Sequence, residues 1–179
     1  MRVISGDARN TKLDTLEGLE TRPTIDRVKE GIFSSIHFLI PGARVLDLFA
    51  GSGQMGIECL SRGAAFGVFV DQNKDATAMV AQNIKNCGLF EKCRVVTMSA
   101  QDFLKSTKEG FDIVFLDPPY NMGTLDEIIE KVYAILNENG IIIAESELGW
   151  QLKTEVPNLK MKKQYKYGKV LVTKFQKEN

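Results

Sequence analysis

The stretch ARVLDLFAGSGQMGIECL, residues 43 to 60, reads as a buried strand that breaks into a glycine loop and restarts as a helix. Gly51, Gly53 and Gly56 satisfy the spacing G-x-G-x-x-G, which lets a backbone turn tightly and approach a ligand closely. A lone glycine pattern is weak evidence. Its setting strengthens it, because an apolar strand precedes it, a helical pattern follows, and Asp71 closes the next strand 20 residues after Gly51.

Working outward, the same alternation repeats down the chain. FGVFVD is followed by NKDATAMVAQNIKNCG, CRVVTM by AQDFLKST, and FDIVFLD by TLDEIIEKVYAILNENG, before GIIIAES. Short β-branched and aromatic runs separated by helical segments are successive βαβ units on a buried parallel sheet. The fold expected is an open, doubly wound, Rossmann-like α/β domain. The end, LKMKKQYKYGKVLVTKFQ, reads as two strands around a YGK turn, an antiparallel hairpin at the sheet edge.

Upstream of the glycine loop, Ile25, Val28, Ile32, Ile36 and Leu39 fall at helical spacing, with Thr24 as the candidate N-cap and Pro41-Gly42 as the stop. RVIS and TKLDTL suggest a small N-terminal β-hairpin. The expected organisation is one domain over residues 1–179, with 1–22 as a hairpin extension and 23–179 as the core. At 179 residues, 44% hydrophobic, the chain suits one well-buried core.

No apolar run reaches the roughly 18 residues of a membrane span, and MRVISGDARN lacks the pattern of a signal peptide. A soluble, cytoplasmic protein without a membrane partner is expected. Cys59, Cys87 and Cys93 show neither disulfide nor zinc spacing and read as small hydrophobes, and His37 reads as a surface or satisfied core residue. Formal net charge is zero, yet residues 151–179 hold eight lysines against Glu155 and Glu178, a local +6 that leaves −6 on the remainder. A lysine-rich end suits a polyanion, although a solvated face reads equally well.

An acid at the end of the second strand is placed to take ribose hydroxyls, so Asp71 and the glycine loop imply a nucleoside cofactor. The glycine pattern alone does not separate a dinucleotide from S-adenosyl-L-methionine. Asp47, four residues before Gly51, favours the latter, because a carboxylate there suits a cationic methionine group and repels a pyrophosphate. Asp102, after the third strand, can meet the amino edge of adenine. The candidate cofactor residues are Asp47, Phe49, Ala50, Gly51, Gly53, Asp71, Gln72, Gln101 and Asp102.

The fourth strand runs into Asp117-Pro118-Pro119-Tyr120. Two prolines fix two φ angles and present carbonyls without competing N–H groups. An acid, a fixed carbonyl and an aromatic plate make a site for a planar group bearing an amine, such as a nucleobase. Asp117 and the Pro118 carbonyl would accept the amine hydrogens and Tyr120 would stack on the base.

These motifs resemble class I S-adenosyl-L-methionine-dependent methyltransferases that modify amines through (D/N)PP(Y/F). More closely, TRPTIDRVKEGIFSSI, LDLFAGSGQMGIECLSRGA, LDPPYNMG and the terminal YGKVLVTKF resemble the bacterial small-subunit ribosomal RNA guanine-N2 methyltransferase family, over residues 1 to 176. The resemblance implies a mostly parallel seven-stranded sheet and methylation of a guanine N2 amine in 16S ribosomal RNA; the roughly 20 residues between Tyr120 and the next strand leave no inserted reading domain, so a monomer acting on the small ribosomal subunit is expected. It also implies that Arg22, Thr24 and Arg27 lie near the methionine end or the RNA, and Lys166 and Lys169 of the lysine-rich end are further candidate substrate contacts. The family carries Gly-Arg where this chain has Asn10-Thr11, a basic contact absent here. The alternatives are an N6-adenine methyltransferase of DNA or RNA, to which the same motif answers, and a non-catalytic RNA-binding protein with a relic pocket.

Overall fold

A computed structural model describes residues 1–16, 23–119 and 125–178, and the side chains of residues 23–27 lie outside that description. Helix α1 spans Pro23–Ile36. Strand β1 (Arg44–Asp47) leads to α2 (Gln54–Ser61), β2 (Phe66–Asp71), α3 (Lys74–Asn86) and β3 (Cys93–Thr97). Then come α4 (Ala100–Ser106), β4 (Phe111–Leu116), α5 (Leu125–Ala134), β5 (Leu136–Glu147), β6 (Leu159–Tyr167) and β7 (Val170–Lys177).

The strands form one seven-stranded sheet in the order β3-β2-β1-β4-β5-β7-β6. β1 pairs in parallel with β2 on one side and β4 on the other, β2 with β3, and β4 with β5. β7 runs antiparallel between β5 and β6. The chain therefore winds one way from β1 and the other way from β4, and the crevice beyond the carboxyl ends of β1 and β4 is where such sheets bind ligands.

Alternate residues of the strands feed two cores. Val45, Phe69, Ile113, Phe115, Ile141, Ile143 and Val172 pack beneath α1, α2 and α3. Leu46, Val68, Val114, Leu116, Ile142 and Phe175 pack against α4 and α5 on the other face. Each such fully buried aliphatic contributes about 1.5–3 kcal/mol relative to exposure. This two-sided burial is why these strands read as continuous apolar runs.

Three details of the helices depart from the sequence reading. α1 begins at Pro23, so Thr24 lies inside its first turn and does not cap it. Proline suits that first position, since its missing N–H has no intrahelical partner to lose. The helix then tightens into a 3-10 turn at His37–Leu39, which rotates the apolar stripe: Leu39 is exposed, and Ile40 is fully buried in its place. α5 ends at Ala134, well short of the expected Gly140. Leu136 already pairs with Phe111, the chain turns through Asn139 at φ +61°, and Ile141 rejoins the ladder opposite Ile113. Gly140 is required there, because a Cβ would meet the Asn137 carbonyl oxygen at 2.8 Å.

The N-terminal residues form a single antiparallel bridge, Arg2 with Lys12, in place of two full strands. Asn10 sits at its tight turn with φ +69°, a left-handed position that asparagine tolerates as glycine does. Glu58, fully buried on α2, anchors the segment by accepting the Ile4 N–H at 2.8 Å and the Ser5 N–H at 3.0 Å. It also pairs with Lys29 of α1 at 3.5 Å and Arg62 at 2.8 Å. Removing Glu58 would take the carboxylate from a buried lysine and from two amides, at a cost of about 3–5 kcal/mol.

Cys59 is buried, whereas Cys87 and Cys93 are half-buried. His37 is exposed, with Nδ1 2.8 Å from the Ser34 carbonyl oxygen. No helix among the described residues is long and apolar enough to cross a membrane.

Candidate active site

The glycine loop is held open by the acids around it. Gly53 caps α2 at φ +77° without a side-chain cap, and Gly51 turns at φ +53°. The Asp71 carboxylate at the end of β2 accepts the Gly51 N–H at 3.0 Å through Oδ2 and the Asn73 N–H at 2.9 Å through Oδ1. Each oxygen keeps a second lone pair for a ligand hydroxyl. A Cβ on Gly51 would project into open space, whereas one on Gly53 would press against Val80 at 3.1 Å. The first glycine thus serves the ligand side of the loop and the second serves packing.

A cleft of about 440 Å³ opens above this loop. It is lined by Leu48, Phe49 and Gly51 after β1, Asp71 and Gln72 at the end of β2, Ala100 and Gln101 after β3, and Asp117, Pro118, Pro119 and Glu145 at the ends of β4 and β5. A mostly apolar slot that also receives Asp71, Asp117 and Glu145 suits a nucleoside whose sugar meets Asp71. Ala50 is buried beside the loop, and its N–H bonds to the Val70 carbonyl at 3.0 Å. Asp102 is not among the lining residues. Its carboxylate accepts the Ser99 hydroxyl at 2.8 Å while its own N–H bonds back to Ser99 Oγ at 3.1 Å. That reciprocal pair closes the N-terminus of α4 and turns Asp102 out to solvent. Gln101, its neighbour, occupies the wall that the sequence reading gave to Asp102.

A second, smaller cavity of about 80 Å³ lies between α1 and the sheet and shares Phe49, Asp117 and Glu145 with the cleft. Its walls are apolar, from Val28, Ile32, Phe115, Ile143 and Val172, yet it also receives Asp47, Lys29 and Gln54. Asp47 is only 5% exposed, and its Oδ2 accepts the Gly56 N–H at 3.1 Å. Burial pushes its carboxyl up to about 7; the Gly56 amide opposes that rise, and the charges of Asp117 and Asp71 add to it. Gln54 Oε1 is buried without a hydrogen-bond partner among the described residues. A buried carboxylate and an orphaned amide oxygen together fit a cationic group such as the ammonium of a methionyl moiety.

Asp117 stands where the two cavities meet. Crowding by protein, and then the charge of Glu145, pushes its carboxyl up to about 7. The residue is nonetheless open to the cleft, so water screens part of this effect, whereas Asp47 feels burial in full. Pro118 is buried behind Asp117, and Pro119 is exposed.

The structure thus brings together Asp47, Phe49, Gly51, Asp71, Gln72, Gln101, Asp117, Pro118 and Pro119. Lys166 and Lys169 are exposed, and the hairpin turn carrying Lys169 lies at the same end of the sheet, since Val170 pairs with Glu147 at the end of β5. Tyr120 and Arg22 lie outside the described residues, as do the side chains of Thr24 and Arg27. Sequence reasoning passed over Gln54, Lys29 and Glu145. Glu145 had a visible signal, an acid near the end of the apolar run GIIIAES, by the same rule that selected Asp47, Asp71 and Asp117.

The family profile described as "Conserved hypothetical protein 95" matches residues 1–176. The chain belongs to this family. Among curated relatives, a candidate rRNA methyltransferase of Bacillus subtilis is 40% identical over 173 residues, covering 94% of each chain. Ribosomal RNA small subunit methyltransferase D of Escherichia coli is 35% identical over 186 residues, covering 99% of this chain and 90% of its own. A solved structure of a candidate methyltransferase from Escherichia coli superposes at TM-score 0.88 with 32% identity, covering 99% of this chain and 98% of that one. The family's fold is therefore shared across nearly the whole chain.

Proposed function

We propose that the protein is an S-adenosyl-L-methionine-dependent methyltransferase acting on the exocyclic N2 amine of a guanine in small-subunit ribosomal RNA. The observation that carries this is the position of Asp117 at the junction of a nucleoside-sized cleft, which Pro118 also lines, and a smaller acid-lined cavity. Relatives named as ribosomal RNA methyltransferases support the choice of substrate.

Asp71 holds the ribose, Gln72 and Gln101 flank the adenine, and Asp47 with Gln54 takes the methionyl ammonium. Bound there, S-adenosyl-L-methionine supplies an electrophilic methyl group on a sulfonium sulfur. The chain's own residues supply orientation and a proton acceptor. Asp117 accepts one hydrogen of the target amine and the Pro118 carbonyl the other, which localises the nitrogen lone pair otherwise spread into the ring. As the new N–C bond forms and the methyl–sulfur bond breaks, its electron pair staying on sulfur, the amine proton passes to Asp117 Oδ. A carboxyl held near neutral is matched to that task. Tyr120, which follows Pro119 in the sequence, is assigned the stacking of the flipped base.

For RNA, the exposed Lys166 and Lys169 stand at the end of the β6–β7 hairpin that lies beside the carboxyl end of β5 and offer basic contacts there. No segment between the motif and β5 is long enough to build a separate base-reading domain, so the assembled small subunit is the favoured substrate, with the enzyme working as a monomer. The test is a side-by-side methyl-transfer assay on small subunits from a methylation-deficient strain, deproteinised ribosomal RNA and duplex DNA, with nucleoside mass analysis. N2-methylguanosine formed fastest on subunits is expected; DNA as the best substrate, yielding N6-methyladenine, would overturn the reading.

A further inference from the structure

Glu145 is the acid that the site's chemistry does not yet use. Leu116, the last residue of β4, pairs with Ala144 on β5, so Asp117 and Glu145 each directly follow the last pair of that parallel ladder. Alternation sends both to the α1 side of the sheet with Phe115 and Ile143, and both line the cleft and the smaller cavity alike. The Glu145 charge also acts on the Asp117 carboxyl. Capture of a single amine hydrogen needs one carboxylate. A second beside it gives the pocket two acceptors side by side, which suits a ligand edge with two adjacent donors.

The bases differ in what they offer beside the target amine. Guanine places the N1–H donor directly next to the N2 amine, so its edge presents adjacent donors to adjacent carboxylates. Adenine places the N1 lone pair next to its N6 amine, and cytosine places N3 next to its N4 amine. Either would set an acceptor against a carboxylate.

Resting on the methyl-transfer reading above, we infer that Glu145 is the residue that reads the target base, accepting the guanine N1–H while Asp117 holds the N2 amine. The specificity for guanine then comes from β5 and not from the proline motif, which answers to any exocyclic amine. The reaction itself is unchanged: Glu145 forms no bond to the methyl group and takes no proton.

The experiment compares two substrates that share the amine and differ at N1. Small-subunit RNA is assembled by ligation with either guanine or 2-aminopurine at the target position; 2-aminopurine keeps the N2 amine and carries a lone pair at N1. With wild-type protein, kcat/KM for guanine should exceed that for 2-aminopurine by about 10- to 100-fold, the size of one hydrogen bond to a charged group. Glu145→Gln should lower the guanine value by a similar factor and leave 2-aminopurine within about 3-fold, so that the preference collapses. Glu145→Asp, which keeps the charge, should retain the preference at a reduced rate, and it decides the matter if the Gln variant fails to bind cofactor in calorimetry. Equal losses on both substrates would overturn the inference and leave Glu145 as a group acting on Asp117. Absence of wild-type preference would also overturn it. Failure of wild-type protein on the guanine substrate, with transfer to an adenine substrate instead, would bring down the parent reading along with it.

Discussion

Asp47→Asn separates what the buried carboxylate costs the fold from what it does for the ligand. Asp47 rises from 3.8 to about 7 on folding, so the folded state holds its proton more tightly than the unfolded chain does. A carboxyl raised in this direction stabilises the fold below pH 3.8, and that contribution disappears as pH climbs through about 7. A rise from 3.8 to about 7, at about 1.4 kcal/mol for each tenfold change in proton affinity, makes the burial of ionised Asp47 cost up to about 4 kcal/mol at pH 8. The asparagine side chain has nearly the same shape and can still accept the Gly56 N–H, but it does not titrate. In cofactor-free protein, urea unfolding between pH 5 and pH 8 should therefore show a fall in stability for wild type that is smaller in the variant by about 2–4 kcal/mol. The slope with pH is the readout, since the new amide changes absolute stability on its own account. Binding of S-adenosyl-L-methionine should move the opposite way, tightening for wild type as pH rises through about 7 and depending less on pH in Asp47→Asn, where Asp117 alone of the pair still titrates. Parallel unfolding profiles for the two proteins would refute the claim that Asp47 is held uncharged by burial until a cation arrives.

Asp117→Ala should remove nearly all turnover in a methyl-transfer assay while leaving cofactor affinity within a few fold, and Asp71→Ala should weaken cofactor binding in calorimetry by about 1–3 kcal/mol through the lost ribose contacts and the unpaired Gly51 and Asn73 amides. Tyr120→Phe should be mild, whereas Tyr120→Ala should cost about 1–3 kcal/mol in kcat/KM, the worth of stacking one base on an aromatic ring; equal losses would assign the role to the hydroxyl. Lys166→Ala with Lys169→Ala should weaken binding to small subunits and flatten the plot of log affinity against log salt by about one per lost phosphate contact. The same double variant should unfold in urea as wild type does, because both side chains are exposed.

How much of this was legible beforehand depended on the range of the interaction. Local patterns carried most of the fold: strand, glycine loop and helix follow one another within residues 43–61, and two-sided burial leaves uninterrupted apolar runs at 66–71 and 111–116. Errors fell where one local option competed with another of similar energy. Residues 136–140 continue a helical pattern, yet Leu136 gains a cross-strand partner in Phe111 and a tight turn at Asn139-Gly140. His37–Leu39 shifts by a fraction of a turn, which sequence spacing does not resolve and which exchanges Leu39 for Ile40 in the core.

By itself the sequence determined which atoms are available: the permissive backbone at Gly51 and Gly53, the strand-terminal carboxylates Asp47, Asp71 and Asp117, and the rigid carbonyls of Pro118 and Pro119. Spacing along the chain is enough for these, because each is set by its own strand end. Only the tertiary structure decided which of them meet. Asp102 is as well placed by spacing as Asp71, but its carboxylate closes a helix terminus through Ser99, whereas Glu145, 28 residues beyond Asp117, lies beside it because β4 and β5 pair in parallel. Register between strands is a property of the folded sheet, set by the packing of both its faces, and it brings the Asp117 and Glu145 carboxylates to one pocket.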